Sequence, residues 1–198
     1  TQPEYEIEIK SVLDQLIHEN TAFLDLGANY GYWTLYAHSK IKHPENIVSV
    51  EASKKTFDKL EEQLEINGMK DSSISLNLAI DEVSDAKVKF ITSGDNHAGA
   101  SVEGSKNNAN DPTVSSQTVS TISIDRLIED RLKLHEGPIV IKLDVEGNEI
   151  KAFNGARNTI DRNSNVLFVF EDLGLEGIDI CDYVLNTLCF SVYFYSEK

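Results

Sequence analysis

The segment Phe23-Leu24-Asp25-Leu26-Gly27-Ala28-Asn29-Tyr30-Gly31 joins an apolar run to a glycine-bounded turn, the layout of a nucleotide-type binding loop. Gly27 and Gly31 let the backbone approach a ligand closely, and Asn29 is among the few non-glycine residues that tolerate positive φ. The N–H groups of the turn would then face ligand atoms at the start of a helix. Twenty residues after Gly31, Glu51 closes a second apolar run, where a carboxylate can accept hydrogen bonds from both hydroxyls of a ribose. A second charged set, Lys142, Asp144 and Glu146, closes the run 138–143, and Glu171 closes the run 165–170. In an open parallel sheet the carboxyl ends of the strands face the ligand crevice, so acids there are a site signal. Strand alternation puts Lys142 and Asp144 on one side, with Glu146 joining them if the extension continues. A lysine within a central strand is costly unless paired, which predicts a neighbouring carboxylate as its partner. The plainer alternatives are a strand–helix turn beside a solvated Glu51, and a structural ion pair with helix capping by Glu146 or Asn148.

The elements that must position these residues follow from periodicity. Ile9, Val12, Leu13, Leu16 and Ile17 recur at helical spacing and predict an amphipathic N-terminal helix over about 4–18, within residues 1–20, covering one face of a sheet. The runs 21–26, 47–50 and 74–80 read as strands, with helices over 32–39 and around Phe57, Leu60 and Leu64, the latter stopping at Gly68. Such alternation implies parallel strands with right-handed crossovers: a doubly wound, mostly parallel α/β sheet of Rossmann-like class. The β-prone segments 87–92 and 114–122 then predict an inserted hairpin. Its long loop, 93–112, is rich in Gly, Asn, Ser and Asp and is a candidate lid. Further on, 125–134, 149–153 and 178–188 read as helices, and 138–143, 165–170 and 190–195 as strands, giving six core strands.

The chain has 198 residues, which predicts one domain over 1–198. It begins at Thr1 rather than methionine, so residues upstream are expected to be missing. With 33 Asp plus Glu against 18 Lys plus Arg the net charge is −15, which repels phosphate backbones and makes nucleic acid a poor partner. An uncharged acceptor or a cationic cofactor suits that field better. Two cysteines, Cys181 and Cys189, form no disulfide framework or metal pattern, and no run approaches membrane-spanning length, so a soluble cytoplasmic protein is expected.

Two cofactors share a strand, a glycine loop and a ribose acid. A nicotinamide dinucleotide needs GxGxxG for its pyrophosphate, yet Asn29 holds the middle position and the loop carries no Lys or Arg. S-adenosylmethionine carries a ribose and a sulfonium without phosphate, and its cation suits acids such as Asp25. An NAD-dependent oxidoreductase or epimerase remains the alternative, with a degenerate cofactor-binding module as a third reading.

Asp25-Leu-Gly-Ala-Asn-Tyr-Gly-Tyr-Trp-Thr34, Glu51, Asn77-Leu-Ala79, Asp125-Arg-Leu127 and above all Ile141-Lys-Leu-Asp-Val-Glu-Gly-Asn-Glu149 resemble the FkbM-type methyltransferases over about 21–171. That resemblance implies a class I S-adenosylmethionine-dependent enzyme methylating a hydroxyl, often of a sugar or polyketide-type natural product. It also implies a seven-stranded sheet, whereas six core strands are read here, so the seventh is expected to be missing. The cofactor is expected at Asp25, Gly27, Asn29, Tyr30, Gly31, Glu51, Ala52, Asn77, Ala79 and Asp144. Catalysis is assigned to Asp144, Glu146 and Glu171, and substrate contact to Lys142, His97 and Ser101. No metal is assigned: Mg²⁺ on Asp144, Glu146 and Glu171 is open but not favoured, and no His or Cys pairing suggests zinc. The expected partner is a small hydroxyl acceptor, and an incomplete sheet edge would favour pairing with a second copy.

Overall fold

The computed structural model describes residues 6–93, 101–102, 114–145, 147–162, 165–170, 180–188 and 191. Five short apolar runs build the main sheet, the three central ones buried on both faces and the two edge ones only partly buried. They are β1 (Ala22–Leu26), β2 (Ile47–Val50), β3 (Ile74–Leu76), β8 (Ile139–Leu143) and β9 (Val166–Phe170). All pair in parallel, in the order β3-β2-β1-β8-β9. The strand order reverses between β1 and β8, so the crevice at their carboxyl ends is the switch point where ligands bind such sheets.

Alternation along β1 sorts the core into two layers. Ala22, Leu24 and Leu26 face a cluster completed by Leu127 of α4 (Ile124–Arg131), Phe153 of α5 (Glu149–Asn154) and Val184 of α7 (Ile180–Asn186). Phe23 faces the opposite way, against Leu13 of α1 (Ile7–Leu16) and Trp33 and Ala37 of α2 (Tyr32–His38). The N-terminal helix therefore covers one sheet face, as its periodicity predicts. The remaining crossover helix, α3 (Lys54–Ile66), starts at Ser53, whose hydroxyl accepts the Thr56 N–H, and ends before Gly68 with its φ of 69°.

The structure divides the single strand read over 74–80. β3 ends at Leu76, and β4 (Ala79–Ile80) joins a second sheet of order β4-β7-β5-β6. Asn77 makes the break: its side-chain amide donates to the Glu51 and Ala52 carbonyls at 2.8 and 3.0 Å, ending the ladder and turning the chain. β5 (Lys87–Ser93) and β7 (Val114–Ile122) pair antiparallel as the expected hairpin. The loop between them is not wholly irregular, because β6 (Ser101–Val102) pairs with β5. The rest of the candidate lid, His97 included, lies outside the described residues, as do Glu146, Glu171, Cys189 and most of the strand read over 190–195.

A helix absent from the sequence reading, α6 (Arg157–Arg162), follows α5 directly. Its first turn is held by a residue from α4: the Asp125 carboxylate accepts the Asn158 and Thr159 N–H groups at 3.0 and 2.7 Å. A cap supplied from 33 residues away leaves no local signature.

Candidate active site

The glycine loop leaves β1 at Gly27 and enters α2 at Gly31. Its backbone is left-handed at Gly27, Asn29 and Gly31, with φ of 77°, 49° and 84°. A Cβ on Gly27 would meet the Asp144 carbonyl oxygen at 1.8 Å, so the loop and the end of β8 pack backbone to backbone. The expectation that the loop's N–H groups face a ligand is corrected. Gly27 and Ala28 both donate to the Val50 carbonyl, at 2.9 and 3.0 Å, and Gly31 donates to the Ala28 carbonyl at 2.8 Å. Asn29 donates to Glu51 Oε2 at 3.0 Å. Four of the turn's five donors are thus spent on Val50, Glu51 and the turn itself.

Glu51 is only 8% exposed, and its other oxygen, Oε1, accepts the Ser53 N–H at 2.8 Å. Burial pushes its carboxyl up, and the two backbone donors act against that shift. A carboxylate offers about four lone-pair sites, so after these two bonds it can still accept two hydroxyls. The acid thus ties the glycine loop to the segment after β2 and keeps capacity for a diol.

Asp25 and Lys142 are direct register partners on β1 and β8, on the α1 and α2 side of the sheet. Asp25 is fully buried; Oδ2 accepts the Thr34 hydroxyl at 2.7 Å, while Oδ1 has no hydrogen-bond partner and lies 4.0 Å from Lys142 Nζ. Lys142 is 4% exposed and donates to Asp144 Oδ2 at 3.1 Å. The lysine is paired with a carboxylate, as its burial in a strand demands. Burial pulls its pKa down, but the charges of Asp25 and Asp144 outweigh this and hold the ammonium protonated. Burial also pushes Asp25 up, with Lys142 as the main opposing charge. Asp144, unlike these two, is about a third exposed at the crevice.

Of the other expected site residues, Tyr30 is exposed on the loop, Ala79 is buried in β4, and Ala52 packs against Ala79, Phe90 and Val119. Ser101 is placed by its backbone in β6. Asn148 stands at the α5 N-cap position without making a cap bond; its amide donates instead to the Ile80 carbonyl at 2.6 Å and Asp81 Oδ2 at 3.3 Å. Sequence reasoning missed Thr34, Ser53 and Gln117, which hold Asp25, Glu51 and Ala52 in turn. Thr34 stands three residues past Gly31 in the quoted string and could have been found there; Gln117 in a β-prone run carries no signal.

At the sheet's switch point the arrangement offers a carboxylate with spare acceptor capacity, and a half-open carboxylate steadied by a buried ammonium. The Gly27, Ala28, Asn29 and Gly31 N–H groups are not free to bind a polyphosphate. The methyltransferase FkbM domain model matches residues 25–180. An FkbM methyltransferase from Methylobacillus flagellatus superposes with a TM-score of 0.54 at 16% identity, over 85% of this chain and 37% of that one. The chain thus spans well under half of that protein. An rRNA methylase from Streptococcus thermophilus superposes with a TM-score of 0.51 at 9% identity, over 94% of this chain and 82% of that one. At these identities the likenesses carry the fold alone, and no curated protein matches the sequence significantly. The family match runs from the glycine loop's first acid through β9 and covers most of the chain, so this chain belongs to the methyltransferase FkbM domain family.

Proposed function

We propose that this domain, taken as one unit over 1–198, uses S-adenosylmethionine to methylate a hydroxyl on a small molecule of sugar or natural-product type. The observation that carries the cofactor assignment is the internal bonding of the glycine loop. A dinucleotide pyrophosphate is bound by free backbone donors at a helix start, and here the Gly27, Ala28, Asn29 and Gly31 N–H groups have other partners. A phosphate-free nucleoside with a cationic centre fits what remains: spare acceptor capacity at Glu51 and the buried Asp25 Oδ1 beneath the loop, which accepts no hydrogen bond.

When bound, the cofactor supplies an electrophilic methyl group on a sulfonium. In this reading Glu51 holds the ribose, with Asn29, Tyr30, Gly31, Ala52, Asn77 and Ala79 around the nucleoside. Asp144, steadied by Lys142, orients the acceptor hydroxyl and takes up its proton, and Glu146 and Glu171 stay as further candidate acids. Proton removal by a positioned group contributes roughly 10²- to 10⁴-fold to rate. Lys142 acts through Asp144 rather than on substrate, because its ammonium is buried beneath it. His97 and Ser101 stay as candidate acceptor contacts. The net charge of −15 favours an uncharged acceptor over nucleic acid, and among the described residues no helix is long and apolar enough to cross a membrane.

Calorimetry with S-adenosylhomocysteine and with NAD tests the reading: binding of the first without the second is the expected result, and the reverse would sink it. Glu51→Ala should weaken S-adenosylhomocysteine by roughly 1.5–3 kcal/mol, tenfold or more, through loss of charge-assisted bonds. An unchanged dissociation constant would mean that the ribose sits elsewhere. A metabolite screen with labelled S-adenosylmethionine then identifies the acceptor; cofactor binding with no transfer to any hydroxyl would favour a degenerate binding module.

A further inference from the structure

We infer that Gln117, on the inserted sheet, is a positioning residue for the nucleoside half of the cofactor, and that this sheet forms one wall of the nucleoside subsite. The inference rests on the S-adenosylmethionine reading of Glu51. Alternation along β7 leaves Ser116, Thr118 and Ser120 exposed and turns Gln117, Val119 and Thr121 inward. From there the Gln117 amide reaches the segment after β2. Nε2 donates to the Ala52 carbonyl at 2.8 Å, and Oε1 accepts the Lys54 N–H at 3.2 Å.

A side-chain amide presents a donor and an acceptor on two adjacent atoms, whereas a hydroxyl carries both on one oxygen and a carboxylate only accepts. Here the two ends match a carbonyl and an N–H of one short backbone segment. Asn77 holds the same segment from the other side, donating to the Glu51 and Ala52 carbonyls, and Glu51 holds the Ser53 N–H. Residues 51–54 are therefore held by Gln117 of the second sheet and by Asn77 at the junction between the sheets, and Ala52 is packed onto Ala79, Phe90 and Val119. One Cα step spans about 3.8 Å, so the base carried by a ribose held at Glu51 would border Ala52. Gln117 and the apolar cluster behind it thus set the position of that border.

Capping is the competing role, because the Lys54 N–H is the first donor of α3. Titration of the full chain with S-adenosylhomocysteine and with adenosine, alongside melting curves, separates the two. Gln117→Leu removes both bonds and is expected to weaken both probes by the same factor, about fivefold or more. Gln117→Glu keeps the acceptor for Lys54 but sets a carboxylate oxygen against the Ala52 carbonyl. It is expected to weaken both probes while melting close to the native protein, and it serves alone if Gln117→Leu does not fold. Native-like binding by Gln117→Glu would leave capping as the whole role and overturn the inference. So would unchanged binding in both variants, or a loss for S-adenosylhomocysteine that adenosine does not share. Failure of the native protein to bind either probe would instead overturn the cofactor reading, and this inference with it.

Discussion

Lys142→Met is expected to lose roughly 3–5 kcal/mol of folding stability at neutral pH, the usual cost of breaking a buried ion pair by deleting one partner. Methionine keeps the length and the apolar stem, so packing between β1 and β8 changes little and the lost charge dominates. Asp25, with no exposed surface, would keep only the Thr34 hydroxyl and N–H as partners and would face Asp144 without the ammonium between them. The pH dependence has a definite sign. Burial already raises the Asp25 carboxyl above its unfolded value of about 3.9, and losing Lys142 raises it further. A raised acid contributes its stability below the unfolded pKa and loses it as pH rises through the folded one. The deficit of the variant should therefore narrow from pH 7 to pH 5 and below. Adding Asp25→Asn should recover part of it, since the uncompensated charge is then gone. Urea unfolding of the native, single and double variants at both pH values checks this. Native stability of Lys142→Met at pH 7 would show that the ammonium does not hold the acids in place.

Gly27→Ala is the second large expected effect. Alanine at a φ of 77° costs about 1–2 kcal/mol from backbone conformation alone. The added Cβ would also lie 1.8 Å from the Asp144 carbonyl oxygen and 2.8 Å from its carbon. Neither atom can swing away as a side chain would, because the Asp144 N–H donates to the Leu26 carbonyl at 3.0 Å and β8 is laddered to β1 along its length. Either the loop lifts from Val50 and Glu51 or the end of β8 moves, and both spoil the crevice. S-adenosylhomocysteine affinity should fall by roughly 100-fold, about 2.7 kcal/mol, with a lowered melting temperature. Gly31→Ala should be milder, since its Cβ meets the flexible end of Leu60. Calorimetry on the two variants side by side decides the matter; Gly27→Ala binding within a few-fold of native would refute the tight packing of loop and strand.

Much of this molecule is legible in one dimension. Runs such as 22–26 and 139–143 are apolar because central parallel strands are buried on both faces, and helices announce themselves by one apolar stripe. The charged residues at the strand ends stand out because charge is rare there, and the pairing of Lys142 follows from the cost of burying it. The division of 74–80 was not legible, since a single apolar run does not say that its two ends serve different sheets. Asn77 causes that division through bonds to residues 25 and 26 positions earlier. The internal bonding of the glycine loop was equally hidden, because the same five residues could offer their N–H groups to a ligand or to the Val50 carbonyl. By itself, then, the sequence determined the α/β class, the alternation of faces and which charged side chains stand at strand ends, all consequences of local periodicity and desolvation cost. Tertiary structure alone decided that Asp25 lies opposite Lys142, that Glu51 clasps the glycine loop and that Gln117 reaches Ala52 from 65 residues away. Such partners are set by strand register and crossover, which depend on how the whole chain packs and not on the residues beside each one.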